Sequence, residues 1–220
     1  MVKAVIFDLD GVIADSEKLK GEAHARTCRL FGGQVSADIY RSVMGQSGDS
    51  VMKAFLEAGS IKAGRNDYRR TFGEQYRLLL EGGVNAMPGA VELLKILAEQ
   101  NWKIGLVSSS ERWMIDLILK DLSVKDCFDV VVSGNDVAEH KPSPGLYMRA
   151  IELMAVKPEE VVAIEDSESG IMAANRAGIK VIALRHLLNQ NHDFSQAVSV
   201  ITSLEPTGDI LRLLTKAEVK

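Results

Sequence analysis

Five short apolar runs recur along this chain, at Val2–Phe7, Trp102–Val107, Phe128–Val132, Val161–Ile164 and Ile179–Leu184. Helix-length segments separate the last four. Runs this short and this rich in Val, Ile and Leu suit strands buried on both faces, and helical connections between such strands make them parallel. The spacing predicts connecting helices over Glu111–Leu119, Pro144–Ala155 and Glu168–Ala177. Pro88 and Gly89 open another, to about Gln100, with the proline near its first turn. Val198–Ile201 reads as a last strand before a C-terminal helix near Asp209–Leu214. The expected fold class is α/β, a doubly wound, Rossmann-like parallel sheet.

Residues 16–86 break this alternation and read as nearly all helix. Ser16 can cap a helix to about Phe31, with Leu19, Ala23, Thr27 and Leu30 on one face and Gly32-Gly33 as its stop. A short helix near Ala37–Met44, one from about Asp49 to Gly59, and one over Asn66–Leu80 follow. The chain therefore divides into a core, 1–15 with 87–220, and an all-helical insertion, 16–86, placed directly after the first strand.

A formal charge of −4 gives no electrostatic reason to expect nucleic acid or an anionic membrane as partner. No apolar run approaches the roughly 20 residues that span a bilayer, and the N-terminus lacks a signal-peptide layout. Cys28 and Cys127 are far apart and form no CxxC, so reduced thiols in a cytoplasmic protein are expected.

In open α/β sheets, ligands bind beyond the carboxyl ends of the strands. The polar residues there are therefore the candidates. The first strand delivers Asp8 and Asp10, one residue apart, into the Gly11 turn. Two acids that close repel each other unless something positive sits nearby, and a hard cation with oxygen ligands is the natural candidate. The second strand ends at Ser108 and Ser109, and the fourth at Glu165 and Asp166. Lys141 follows the third, inside Lys141-Pro142-Ser143-Pro144. A calcium loop is a poor alternative, because its fifth, sixth and twelfth places would hold Val12, Ile13 and Leu19. The phosphate loop G-x-x-x-x-G-K-[ST] is absent. His24, His140, His186 and His192 have no metal-ligand spacing and read as ordinary side chains, although His140 adjoins Lys141.

Asp8-Leu9-Asp10-Gly11-Val12 with Asp15-Ser16-Glu17, then Ser108, Lys141-Pro142-Ser143-Pro144, and Ile164-Glu165-Asp166-Ser167 with Gly170 occur in one order over most of the chain. This set resembles the haloacid dehalogenase-like superfamily, in its β-phosphoglucomutase and phosphatase branch. The helical insertion sits where that branch carries a cap domain. The resemblance implies that Asp8 is the nucleophile forming an aspartyl-phosphate and that Asp10 is the general acid and base. It implies Mg²⁺ on the Asp8 carboxylate, the Asp10 backbone carbonyl and the Asp166 carboxylate, with Glu165 behind them. Ser108 would hydrogen-bond the transferring phosphoryl group, and Lys141 would neutralise charge between it and Asp8. Gly11 and Ser109 would line the substrate, as would Lys20 and Gly45 when the cap closes, with hinges near 13–16 and 82–86.

Phosphoryl transfer to a carboxylate needs these residue types. Donor and nucleophile are both negative, so a cation and a lysine must offset their repulsion. Two successive displacements need an acid that later serves as a base. Within the family, the β-phosphoglucomutases carry an arginine at the Gly48 position and a histidine at the Lys20 position, and this chain has neither. Hydrolysis of a small phosphomonoester, such as a sugar phosphate, is therefore expected, by a monomer or small homo-oligomer. A β-phosphoglucomutase-type sugar phosphomutase is the alternative.

Overall fold

The computed structural model describes residues 2–216. They form two compact units, residues 2–15 with 85–216 and residues 16–84. The first is built on six parallel strands: β1 (Ala4–Asp8), β2 (Lys103–Val107), β3 (Val130–Val132), β4 (Val161–Glu165), β5 (Lys180–Leu184) and β6 (Ser199–Ile201). Their spatial order is β3-β2-β1-β4-β5-β6. The order reverses direction at β1, which places that strand's carboxyl end at the switch point where open sheets bind ligands.

Burial explains why these runs are strands. Ala4, Ile6, Val107, Ala163, Val181 and Ala183 share one apolar cluster with Leu146, Tyr147, Ala150 and Ile151 of α7 (Gly145–Met154) and Ile171, Ala173 and Ala174 of α8 (Glu168–Arg176). The alternate side chains, Val5, Phe7, Ile104, Leu106, Val162 and Ile164, are equally shielded, so the sheet is covered on both faces. The remaining helices of this unit are α5 (Ala90–Glu99), α6 (Arg112–Asp121) and α9 (Thr207–Lys216). Two boundaries differ from the sequence reading. Pro88 stands outside α5, because Gly89 caps that helix in a left-handed conformation (φ 81°). The strand β3 begins at Val130, after Asp129, whose N–H donates to Ile104 O at 2.8 Å and whose carboxylate accepts the Ile104 N–H at 2.7 Å.

The second unit holds α1 (Glu17–Leu30), α2 (Tyr40–Val43), α3 (Gly48–Ala58) and α4 (Arg65–Leu80). The helix α1 buries Gly21, Ala23, His24, Ala25, Thr27 and Cys28, whereas Leu30, expected on the inner face, is 64% exposed. Ser16 makes no side-chain cap bond. Asn85 and Ala86, read from the sequence as the end of the helical segment, group instead with the first unit. The Asp15 N–H donates to Asn85 O at 2.9 Å, Ala14 bridges Ala86 in antiparallel fashion, and the Met87 N–H donates to Ile13 O at 2.9 Å. The outgoing and returning chains are thus paired to each other.

Candidate active site

The site is built outward from the end of β1. Asp8 is that strand's last residue, in register with Val107 of β2. Beyond it the chain folds tightly back, with the N–H groups of Ile13 and Ala14 both donating to Leu9 O at 2.9 Å and that of Gly11 to Ala14 O at 2.8 Å. Gly11 sits at φ 80°, and a Cβ there would overlap the Asp166 carboxylate. Glycine is required on both counts.

Asp8 and Asp10 are both buried, but their carboxylates meet different partners. Lys141 Nζ lies 2.5 Å from Asp8 Oδ1 and donates to Glu165 Oε1 as well. Burial works to lower the Lys141 pKa, but the charges of Asp8 and Glu165 outweigh it and hold the ammonium protonated. The Asp10 carboxylate instead accepts from Ser110 Oγ at 2.9 Å and Ser108 Oγ at 3.2 Å. Ser109, expected to face the substrate, is exposed, and the serine that joins Ser108 on Asp10 is Ser110. The helix α6 begins at Arg112, whose N–H donates to Asn135 Oδ1 at 2.8 Å.

Glu165 is fully enclosed and saturated. Its Oε1 accepts from Lys141 and from the Tyr147 hydroxyl at 2.9 Å. Its Oε2 accepts from the N–H of Asp166 at 3.1 Å, the N–H of Ser167 at 3.3 Å and the Ser167 hydroxyl at 3.1 Å. A Cβ at Gly170 would overlap this carboxylate, so α8 approaches it through a glycine. Ser167 Oγ also accepts from the Gly170 N–H at 3.1 Å, capping α8.

Asp166 is held from the loop after β5. His186 Nε2 lies 2.8 Å from Asp166 Oδ2, and Asn189 Nδ2 donates to the Asp166 backbone oxygen at 2.8 Å. The sequence reading of His186 as ordinary is thereby corrected. Its spacing to the motifs carries no signal, because the contact is made by the fold. Tyr147, Ser110 and Asn189 were also missed. Tyr147 lies on the buried face of α7, where sequence pattern reads an aromatic as core. Lys20 and Gly45 belong to the helical unit, Lys20 on α1 with Nζ 3.9 Å from Glu17 Oε2, and Gly45 in the turn before α3 at φ 78°.

Ligand oxygens of Asp8, Glu165 and Asp166 lie within 4.8 Å of one another. Glu165 already accepts from five donors, which leaves Asp8 and Asp166 as the carboxylates suited to a cation. Burial pushes the Asp8 carboxyl well above the usual range; Lys141 opposes this, while the charges of Glu165, Asp166 and Asp10 add to it. An oxygen-rich, negatively overcharged pocket of this kind fits a hard divalent ion such as Mg²⁺, which typically takes one or two protein carboxylates.

Residues 5–184 match the family model described as haloacid dehalogenase-like hydrolase. A phosphorylated carbohydrates phosphatase from Thermotoga maritima is 32% identical over 214 residues, covering 97% of this chain and 98% of that protein. A point mutant of CbbY from Rhodobacter sphaeroides, solved in complex with xylulose-1,5-bisphosphate, superposes with a TM-score of 0.85 at 26% identity, over 94% of this chain and 97% of that one. A β-phosphoglucomutase from Clostridium difficile superposes with a TM-score of 0.83 at 26% identity, over the full length of both chains.

Proposed function

The chain belongs to the haloacid dehalogenase-like hydrolases, and on that premise we propose that it is a Mg²⁺-dependent phosphatase of phosphorylated carbohydrates working through an aspartyl-phosphate. The observation that carries the reading is the split environment of two neighbouring aspartates. Asp8 lies against the Lys141 ammonium, which can screen an incoming phosphoryl group, whereas Asp10 accepts from the Ser108 and Ser110 hydroxyls. One carboxylate is equipped to attack and the other to carry a proton. The family resemblance and the phosphatase at 32% identity supply the substrate class.

In this reading Asp8 Oδ attacks phosphorus while Asp10 protonates the departing oxygen of the sugar. Asp10 then takes a proton from the water that hydrolyses the acyl phosphate. Lys141 stays charged throughout and offsets the repulsion between carboxylate and phosphoryl oxygens. Ser108 donates to the phosphoryl group. Asp8, the Asp10 backbone carbonyl and Asp166 would hold Mg²⁺, which when bound supplies positive charge to the equatorial oxygens. Gly11, Lys20 and Gly45 are assigned to the substrate, the last two from the helical unit acting as a cap.

A phosphate-release screen over phosphorylated sugars, with and without EDTA, tests the proposal. Turnover that EDTA abolishes and Asp8→Asn eliminates is expected, with Asp10→Asn slowed by at least about 100-fold. Full activity of Asp8→Asn would sink the mechanism. Conversion of β-glucose 1-phosphate to glucose 6-phosphate with a bisphosphate primer, without free phosphate, would favour the phosphomutase instead.

A further inference from the structure

The loop after β5 carries a side chain to which the mechanism above gives no role. His186 Nε2 meets Asp166 Oδ2 at 2.8 Å, and the geometry fixes which nitrogen bears the proton. The Leu188 N–H donates to His186 Nδ1 at 3.2 Å, so Nδ1 is the acceptor and Nε2–H points at the carboxylate. The ring is itself anchored. Fully buried Asn189 accepts the His186 N–H on Oδ1 at 2.8 Å and donates through Nδ2 to Leu184 O at 2.9 Å and Asp166 O at 2.8 Å. The Asp166 N–H goes to Glu165. Both backbone polar groups of Asp166 are therefore fixed, and His186 bears on what remains, the rotation of its carboxylate. The Nε2 atom also lies 3.0 Å from where a Gly11 Cβ would stand, so histidine, aspartate and the turn after β1 converge at one point.

We propose that His186 is a positioning residue that holds the Asp166 carboxylate in a metal-ready orientation, with Asn189 fixing the histidine. This rests on the reading of Asp166 as a Mg²⁺ ligand. A carboxylate on two rotatable bonds loses that freedom on binding an ion, and a neutral N–H donor on one oxygen removes much of it beforehand. Outer partners of this type typically contribute about 10- to 100-fold in metal affinity.

Calorimetric titration of the substrate-free protein with Mg²⁺ tests it directly. His186→Ala should bind Mg²⁺ about 10- to 100-fold more weakly. His186→Gln, which places an amide N–H₂ donor near the Nε2 position, should recover most of the affinity. Thermal melts of both variants without metal establish that each is folded, and if His186→Ala is not, His186→Leu replaces it. Unchanged affinity in the alanine variant overturns the proposal. So does tighter binding, which would make His186 a competitor of the ion. A glutamine variant as weak as alanine overturns it too, since the donor would not be what matters. If the wild type itself binds no Mg²⁺, the metal reading fails instead.

Discussion

Lys141 and Glu165 illustrate what individual residues cost and supply. Removing the lysine in Lys141→Met leaves Asp8 and Glu165 buried together without their shared cation, which should destabilise the fold by about 3–5 kcal/mol. Urea denaturation checks the size. The loss should shrink on acidification, because protonation discharges the Asp8 carboxylate, which burial has already biased toward the neutral form. At Gly170 a methyl group would overlap the Glu165 carboxylate, so Gly170→Ala should cost about 1–3 kcal/mol and lower kcat by displacing Lys141. The strand-end acids and the lysine are legible in sequence because they follow apolar runs whose ends are themselves visible. Ser110 is not, since nothing in Ser108-Ser109-Ser110 tells which hydroxyl turns toward Asp10. Tyr147 and His186 are hidden for another reason: their polar contacts cross 18 and 20 residues of chain, and only the packed sheet brings them together.

At the level of elements, α1 and α4 share a buried aromatic stack whose centre is a histidine. The His24 ring lies 4.1 Å from Phe72 and 4.8 Å from Phe55 between ring centroids, and Nδ1 meets the Tyr68 hydroxyl at 2.9 Å. Burial, with Lys20 adding to it, pushes its pKa from 6.5 down to about 3. Between those values the unfolded chain binds a proton that the folded helix pair refuses. Stability is therefore full above about pH 6.5 and falls as pH drops, with a slope of up to about 1.4 kcal/mol per pH unit. Amide hydrogen exchange in α1 and α4 at about pH 7.5 and about pH 5 should reveal the loss, and His24→Phe should flatten it. Apolar periodicity finds these helices but misassigns their faces where small residues do the packing. On α1 the expected Ala23 and Thr27 are indeed buried, but Leu30 is exposed, and Gly21, Ala25 and Cys28 reach the interior as well.

For the molecule as a whole, the strand order 3-2-1-4-5-6 brings the carboxyl ends of β1, β2 and β4 side by side, so Asp8, Ser108 and Asp166 meet although a hundred or more residues of chain separate the first from the other two. Alternation of apolar runs and helices reveals a parallel sheet from sequence, but not this order, which depends on crossover connections that leave no local trace. The second unit enters and leaves through one doubly pinned gate, Asp15 to Asn85 and Ile13 to Met87. Joining Asp15 to Asn85 by a short Gly-Ser linker should give a chain that retains the six-stranded sheet, checked by circular dichroism and a cooperative urea transition. Deletion of Asn85 and Ala86 as well should abolish it. The gate has a further consequence for how such a chain can change over time. With both ends of the insertion clamped by the sheet unit, its length enters the folding free energy only through loop closure, at about 0.6 kcal/mol per doubling. Whole helices can be gained, lost or exchanged inside it at little loop-closure cost to the sheet unit, so the insertion can change in length while the strands that carry the carboxylates stay as they are.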